Sequence, residues 1–393
     1  MACAKTAVHI GLRRPPLEWR AELAAGTDLG YATHLVSDLD PAYTGLAVGG
    51  TSRFDPTVAP AALAGSLAAR LRGLDPPPGV VVCWGDRHVE TTARLAAALD
   101  LAGVGVAGAL TCGDKTAQRK VLEPYGVNPR WRAGATLADL RAAVADLGTA
   151  APLLFKLAHS SGGRGTTAVH ADTDLAALFA TTAKNYLPST AFVVEEFVSG
   201  TEHSVAGLVR DGDPVPYAIA DKTVDDDRRT HVTVVPSALD PTAAEQIRTA
   251  ACEAVRAVGL ESGGFHVDLR LTPGGPVVLE VGARLGGDLI NSHLVPFATG
   301  GRLLPYRSLV DLLATGATTA PAPYTCGAVM TVLPAAGRSV GDLLDRVATH
   351  PAVRAAADWS TPQEPAVAAV LTTDDPHGAP AVVADLRRWA GAG

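Results

Sequence analysis

The segment that most constrains the fold of this chain is a predicted β-hairpin over residues 263–287. Two runs with alternating apolar residues, 265–271 and 277–283, flank the turn sequence Pro273-Gly274-Gly275. The odd-numbered positions of both runs are apolar, whereas the even-numbered positions include most of the charged side chains. Because side chains alternate across a strand, one face of the hairpin is predicted to pack on a core and the other to carry charge.

The register of this hairpin predicts which charges meet. If the hairpin is symmetric about its turn, Asp268 lies opposite Glu280, and His266 lies opposite Gly282. Facing residues have Cβ atoms about 5 Å apart, so the two carboxylates repel unless a proton or cation lies between them. With Arg284 on the same face, the pattern indicates a Mg²⁺ site for a phosphorylated substrate, because Mg²⁺ prefers carboxylates, phosphate oxygens and water. A solvated face with compensating charges is the alternative, and the hairpin alone does not decide.

The composition bounds the size and class of the protein. The chain has 393 residues, of which 47% are hydrophobic, so we expect two or three domains with a sizeable core. A net charge of −7 argues against general nucleic-acid binding and against a polybasic membrane anchor. No apolar run has the length of a membrane helix, and the N-terminus lacks an apolar signal core. Five scattered cysteines without a Cys-x-x-Cys pair indicate reduced thiols, so we expect a cytoplasmic protein.

The N-terminal third alternates short apolar runs with Ala/Leu-rich helix candidates, which favours a small parallel α/β domain. The predicted strands are 6–12, 31–37 and 80–84, and the predicted helices are 60–74 and 91–101. Residues 103–108 match the pattern Gly-x-Gly-x-x-Gly of dinucleotide sites. That stretch follows a helix candidate, and residues 111–113 open no convincing helix, so we predict a Gly-rich strand or loop instead.

Two later segments carry candidate nucleotide-binding groups. Strand 153–157 contains Lys156 and leads into the Gly/Ser-rich loop 158–167. Such a loop exposes backbone N–H groups and can approach a polyphosphate closely. A flexible hairpin loop is the alternative, and the basic residues Lys156 and Arg164 favour phosphate. A second strand, within 191–202, ends in acidic residues that could bind ribose hydroxyls or face water.

The order of these segments resembles the ATP-grasp superfamily, in particular its carboxylate–amine ligases, which include L-amino-acid (dipeptide) ligases. The resemblance covers about half of the chain. The matching residues are Asp114-Lys115 with Arg119 and Leu122; Lys156 with residues 160–165; residues 195–198 with Gly200 and Glu202; and His266-x-Asp268 with Glu280-x-x-x-Arg284-x-Gly286-Gly287. The resemblance implies an α/β (α+β) ATP-grasp fold. Its expected parts are a Rossmann-like N-terminal α/β domain over 1–112, an ATP-grasp domain over 113–303 with a lid at about 120–198, and a small C-terminal α/β domain over 304–393.

The resemblance also implies roles for individual residues. Lys115, Lys156 and Lys222 correspond to lysines that face the phosphates of ATP, and Lys156 is expected to act in catalysis with Arg284 and His266. The remaining nucleotide-binding positions are Ser160, Ser161, Gly162 and Gly163 in a loop that closes over the phosphates, Glu195, Glu196 and Val198 at the adenine hinge, and Glu202 at the ribose. Asp268 and Glu280 correspond to the ligands of Mg²⁺, for which Mn²⁺ is the substitute. Arg284 corresponds to the residue that steadies a substrate carboxylate or acyl phosphate.

The implied activity is ATP-dependent amide formation through an acyl phosphate, from small carboxylate and amine substrates, in an enzyme expected to be a homodimer. Deleting Gly162 and Gly163 is expected to slow turnover more than it weakens nucleotide binding. An ATP-dependent carboxylase or purine-pathway ligase on the same scaffold is an alternative, and a nucleotide-binding protein without turnover is another. One position departs from the family pattern: Gly282 stands where many members carry an asparagine as a third metal ligand.

Overall fold

The computed structural model describes residues 5–13, 15–38, 48–160, 165–185, 190–225, 229–361 and 364–391. Its N-terminal part is a four-stranded parallel sheet in the order β3-β2-β1-β4, flanked by helices. The bounds are β1 Thr6–Ile10, α1 Pro16–Thr27, β2 Ala32–Ser37, β3 Gly50–Arg53, α2 Pro60–Leu71, β4 Pro78–Cys83 and α3 Val89–Ala98. The predicted parallel α/β arrangement is confirmed. Helix α1 was not among the predicted helices; Pro16 stands in its first turn, where a missing N–H leaves no helical hydrogen bond unmade.

The glycine stretch at 103–108 is a loop over 103–105 and then enters helix α4, Val106–Gly113, so the prediction of a strand or loop is confirmed for 103–105 and wrong for 106–108. Gly105 precedes the helix with a φ of +79°, a conformation that favours glycine. A Cβ at Gly108 would lie 2.7 Å from the carbonyl oxygen of Gly259. These two glycines therefore serve a turn and a close helix contact. Helix α5, Lys115–Leu122, follows, and its first turn is capped by the side chain of Asp114.

A second sheet, here called the lid sheet, has four antiparallel strands in the order β5-β8-β6-β7. Its elements are β5 Trp131–Gly134, α6 Leu137–Leu147, β6 Leu153–Leu157, β7 Thr166–Val169, α7 Leu175–Asn185 and β8 Phe192–Glu196. Its core is small and separate, and includes Leu140, Phe155 and Phe192, all fully buried. Thr136 precedes helix α6 as its N-cap and forms a capping box with Asp139.

A third sheet, here called the large sheet, has eight antiparallel strands in the order β13-β12-β9-β10-β11-β14-β16-β15. Its elements are β9 Thr201–Arg210, β10 Asp213–Val224, β11 Thr230–Val235, α8 Pro241–Val258, β12 Gly263–Thr272, β13 Gly275–Gly282, α9 Val295–Ala298, α10 Pro305–Thr315, β14 Gly327–Pro334, α11 Val340–Ala348, β15 Val353–Asp358, β16 Ala366–Thr373 and α12 Ala379–Ala390. Strands from both sides of the predicted boundary at 303/304 share this sheet. The domain boundaries themselves stay a prediction.

Helix α8 shows how the large sheet obtains its core. Asp240 caps the first turn, Pro241 begins the helix, and Gly259 ends it in a left-handed conformation. The buried side of α8, which includes Ile247 and Val255, packs in one cluster with residues of the hairpin and of the N-terminal sheet. None of the helices within the described ranges combines the length and apolar character that crossing a bilayer requires.

The predicted hairpin is present as β12 and β13, and the predicted register is confirmed at Asp268 and His266. Asp268 pairs with Glu280, and His266 pairs with Gly282. A β-bulge follows, because Leu269 pairs with Val278 and leaves Leu279 as an extra residue. Val278 therefore fills the core, whereas Leu279 lines the cleft beside Glu280. The alternation had predicted the opposite for these two side chains, so that part of the pattern is wrong.

Candidate functional site

A cleft lies between the lid sheet and the charged face of the hairpin. Its lining combines apolar walls with acidic and basic side chains from both sheets. The lining residues are Lys115, Pro129, Leu154, Lys156, Ser160, Thr166, Glu195, Glu196, Phe197, Val198, Glu202, Asp268, Arg270, Leu279 and Glu280. Most of the residues predicted from the sequence to contact nucleotide or metal therefore lie around one cavity.

Asp268 is the most heavily supported carboxylate of this cleft. Its Oδ1 accepts hydrogen bonds from Ser204 Oγ, from Lys222 Nζ at 3.1 Å and from His266 Nε2 at 3.1 Å. Burial raises the pKa of Asp268, but the neighbouring Lys222 and His266 outweigh it and hold the pKa well below its usual range. Lys222 also contacts Asp288 Oδ2 at 3.2 Å. Asp268 is consequently ionised at neutral pH, with its geometry fixed from three sides.

Glu280 faces Asp268 across the hairpin and is held by a different cation. Lys115 Nζ lies 3.0 Å from Glu280 Oε1 and also donates to the carbonyl oxygen of Ser160 at 2.5 Å. The Ser160 hydroxyl donates back to the carbonyl of Leu157 at 3.0 Å, which ties the start of the 158–167 loop to strand β6. The lysine thus connects the loop that leaves the lid sheet with the carboxylate on the hairpin.

These two carboxylates could supply part of the coordination of a divalent cation. Among the described residues, Asp268 Oδ2 and Glu280 Oε2 accept no hydrogen bond, so each carboxylate keeps one oxygen free. Within those same ranges, no group of three or more His, Cys, Asp or Glu side chains forms a complete metal site. A Mg²⁺ ion would therefore need oxygens from water and phosphate as well, which is its usual coordination in nucleotide sites.

Lys156 forms an ion pair with a buried glutamate at the edge of the cleft. Its Nζ lies 2.6 Å from Glu195 Oε2, and the other oxygen of Glu195 accepts from Arg119 Nε at 2.6 Å. Glu195 and Arg119 have side chains exposed by only 1% and 2%. Burial raises the pKa of Glu195, but the two cations outweigh it and lower the pKa to about 2. The side chain of Glu195 is thus fully engaged inside the protein.

Glu202, the predicted ribose carboxylate, is paired with Arg270. The guanidinium donates to Glu202 Oε2 from Nη2 at 2.9 Å and from Nε at 3.2 Å, and Nη1 donates to the carbonyl of Val198 at 2.6 Å. Arg270 also lies over the ring of Phe197, 4.8 Å from its centroid. One arginine therefore orders both Glu202 and residues 197–198, which belong to the predicted adenine hinge. Glu196 points differently, since its carboxylate accepts from the backbone N–H of Arg130 at 2.9 Å.

Arg284 follows strand β13, and its side chain contacts the N-terminal part of the chain. It forms a bidentate pair with Asp86, with Nε to Oδ1 at 2.8 Å and Nη2 to Oδ2 at 2.6 Å. Burial raises the pKa of Asp86, but the guanidinium reverses this and lowers it. Gly282 adjoins the pair, because a Cβ there would lie 3.7 Å from Asp86 Oδ1. A substrate carboxylate approaching Arg284 would meet a guanidinium already oriented by Asp86.

His266 is buried, and its accessible chemistry is limited. Nε2 bonds to Asp268, whereas Nδ1 is buried without a partner within the described part of the chain. A Cβ at Gly286 would lie 2.2 Å from Nδ1, so only glycine fits there. This arrangement favours a role in orienting Asp268.

Some predicted site residues cannot be placed and some site residues were not predicted. Ser161, Gly162, Gly163 and Arg164 lie outside the described residues. Sequence reasoning placed Arg270 on the charged face of the hairpin but missed its pairing with Glu202. It also missed Asp86, Ser204, Gln118 and Asp288. Alternation along β9 could have placed Ser204 on the charged face, because Ser204 pairs with Asp268. No sequence signal could have paired Asp86 with Arg284.

A comparison with protein families matches residues 151–292 to the ATP-grasp domain. Among curated proteins, the chain is 31% identical over 225 residues to an alanine–anticapsin ligase of Bacillus subtilis (strain 168), covering 51% of this chain and 47% of the relative. The chain spans about half the length of the first curated relatives it matches.

Two solved structures resemble the whole chain. An L-amino acid ligase from Bacillus licheniformis superposes with a TM-score of 0.78 at 19% identity, covering 98% of this chain and 97% of that one. An N5-carboxyaminoimidazole synthetase from Staphylococcus aureus, complexed with ADP, superposes with a TM-score of 0.77 at 14% identity, covering 99% and 98%. At these identities the likeness establishes the fold, and the chemistry has to be argued from the residues of the cleft.

Proposed function

Because this chain contains an ATP-grasp domain, as the sequence had predicted, we propose that it is an ATP-dependent carboxylate–amine ligase. The observation that carries the proposal is the convergence of two facing carboxylates, Asp268 and Glu280, and two lysines, Lys115 and Lys156, on one cleft. A third lysine, Lys222, pairs with Asp268. A polyphosphate requires cations, and a divalent ion requires carboxylates, so this lining suits ATP with Mg²⁺ or Mn²⁺.

The proposed reaction has two steps. A substrate carboxylate oxygen attacks the γ-phosphorus of ATP, the bond to the β–γ bridging oxygen breaks, and ADP leaves. The nitrogen of an amine then attacks the acyl carbon, loses a proton to solvent, and displaces inorganic phosphate to leave an amide. No side-chain nucleophile is required, so the protein acts chiefly by positioning and charge neutralisation.

The residues of the cleft divide this task. Lys115 and Lys156 would contact the phosphates, Arg270 and Glu202 would hold the ribose end, and Arg284 would bind the substrate carboxylate. Asp268 and Glu280 would hold the divalent cation, which when bound neutralises phosphate charge. Ser204, Lys222 and His266 keep Asp268 ionised and oriented.

The test is a screen for phosphate release from ATP over pairs of amino acids and small carboxylic acids, with mass analysis of the products. We expect phosphate release that requires both a carboxylate and an amine. The product should have the mass of the two substrates together less one water. Asp268→Asn and Glu280→Gln should each lower this release by at least about 100-fold. Unchanged release in both variants would refute the proposed metal role.

An ATP-dependent carboxylase is the second candidate, since the synthetase from Staphylococcus aureus shares the fold over nearly the whole chain. The same assay separates the two reactions. Phosphate release that depends on bicarbonate and gains nothing from amino acids would establish the carboxylase and overturn the ligase.

A further inference from the structure

Strand β13 carries Glu280 and forms the outer edge of the large sheet. An edge strand has backbone N–H and C=O groups with no neighbouring strand to pair with, and buried groups of this kind need other partners. Here the partners are side chains of helix α5. Lys115, Gln118 and Arg119 from this single helix contact Glu280 or the residues on either side of it.

Gln118 pairs with the residue that follows Glu280. The backbone N–H of Val281 donates to Gln118 Oε1 at 2.9 Å, and Gln118 Nε2 donates to the carbonyl of Val281 at 3.1 Å and to that of Cys112 at 2.8 Å. This reciprocal pair reproduces the two hydrogen bonds that a neighbouring strand would make. The amide is 1% exposed, and both of its donors and its oxygen are engaged.

Arg119 holds the residues that precede Glu280. Its Nη1 donates to the carbonyl of Val278 at 3.1 Å and its Nη2 to the carbonyl of Leu279 at 2.7 Å, so it binds both residues of the bulge. Its Nε is occupied by Glu195 of the lid sheet. The backbone on both sides of Glu280 is therefore fixed by two consecutive residues of one helix.

We propose that Gln118 and Arg119 are positioning residues for Glu280, so that helix α5 takes the place of a ninth strand and sets the metal-binding carboxylate. The inference rests on the proposed role of Glu280 as a metal ligand. Because supporting contacts around a ligand commonly govern affinity by 10- to 100-fold, loss of the Gln118 pair should weaken the metal more than the nucleotide.

The test uses Gln118→Met, which has a similar length and cannot make the pair. Mn²⁺ binding in the presence of ADP is measured by the electron paramagnetic resonance of free Mn²⁺, and ADP binding is measured separately in EDTA by calorimetry. We expect the Mn²⁺ dissociation constant to rise by about 10-fold, and the affinity for ADP in EDTA to change by less than about twofold. Gln246→Met, an exposed position on α8, is the matched control and should change neither.

Three outcomes separate the possibilities. If Glu280→Gln weakens Mn²⁺ binding and Gln118→Met does not, the positioning role is refuted while the metal site stands. If Glu280→Gln leaves Mn²⁺ binding unchanged, the proposed metal role of Glu280 fails and the inference fails with it. If Gln118→Met lowers ADP affinity in EDTA as much as Mn²⁺ affinity, its role is general folding, and the inference is again refuted. Should Gln118→Met not fold, Gln118→Asn, one methylene shorter, is read by the same criteria.

Discussion

Replacing Glu195 by Gln tests whether the buried cluster with Arg119 and Lys156 stabilises the lid sheet. The carboxylate is 1% exposed and accepts from both cations at 2.6 Å. Lowering its pKa from 4.5 to about 2 corresponds to about 3 kcal/mol, at about 1.4 kcal/mol for each tenfold change in proton affinity. Glu195→Gln also leaves Arg119 and Lys156 with less charge compensation, so the expected loss of unfolding free energy near neutral pH is on the order of 3 kcal/mol.

The lowered pKa of Glu195 also predicts how the stability difference between wild type and Glu195→Gln changes with pH. A carboxyl group whose pKa is lower in the folded state adds stability above its unfolded value, near 4.5, and loses it as the pH falls towards 2. The difference in unfolding free energy between wild type and Glu195→Gln should therefore narrow by about 1 kcal/mol from pH 7 to pH 4.

Urea-induced unfolding followed by circular dichroism measures both effects, and a fall in Tm of roughly 4 °C should accompany them for unfolding of the whole 393-residue chain. Asp146→Asn is the control, because Asp146 pairs with Arg132 on the lid surface with both side chains 52% exposed. That substitution should cost less than about 1 kcal/mol. A loss below about 1 kcal/mol in Glu195→Gln, or a difference that does not narrow in acid, would refute the reasoning.

Three further substitutions follow, two from contacts in the site and one from the packing of helix α4. Gly286→Ala would place a Cβ 2.2 Å from His266 Nδ1. We therefore expect turnover to fall by about 10-fold or more while ATP binding is retained. An equal loss of affinity in a nucleotide-binding titration would contradict this expectation. Arg270→Met removes the contacts to Glu202 and to the carbonyl of Val198. It should raise the dissociation constant of ADP by about 10-fold, and an unchanged affinity would contradict this prediction. Gly108→Ala would bring a Cβ within 2.7 Å of a backbone carbonyl and should lower the unfolding free energy by about 1–3 kcal/mol in urea titrations, whereas a neutral effect would show that α4 can shift freely.

The sequence was sufficient for the pairing of Asp268 with Glu280. That pairing depends on a period of two and on a short turn, both of which are local properties of the chain. The bulge at Leu279 was beyond the same reasoning, since it is fixed by contacts of Val278 and Leu279 with Arg119, more than 150 residues earlier in the chain.

Other differences have similar causes. Helix α4 was missed because residues 111–113 gave no convincing helix signal, whereas Gly108 is held by a tertiary contact with the carbonyl of Gly259. The lysines and acids of the cleft were found by their family order, but the partners that hold them come from distant segments. Asp86 on Arg284 and Arg270 on Glu202 are of this kind, and a single sequence carries no record of such pairings.

The position of β14 within the large sheet determines how the chain can be shortened. Strand β11 pairs with β14 from Val232 with Thr331 to Val235 with Ala328. A chain ending before β14 would open the backbone of β11 to solvent, and a fragment holding only β14 to β16 would carry the complementary open edge. Both edges would be free to join other chains. We therefore expect strands β14 to β16 to protect the edge of β11 against aggregation. These strands contribute no residue to the lining of the cleft.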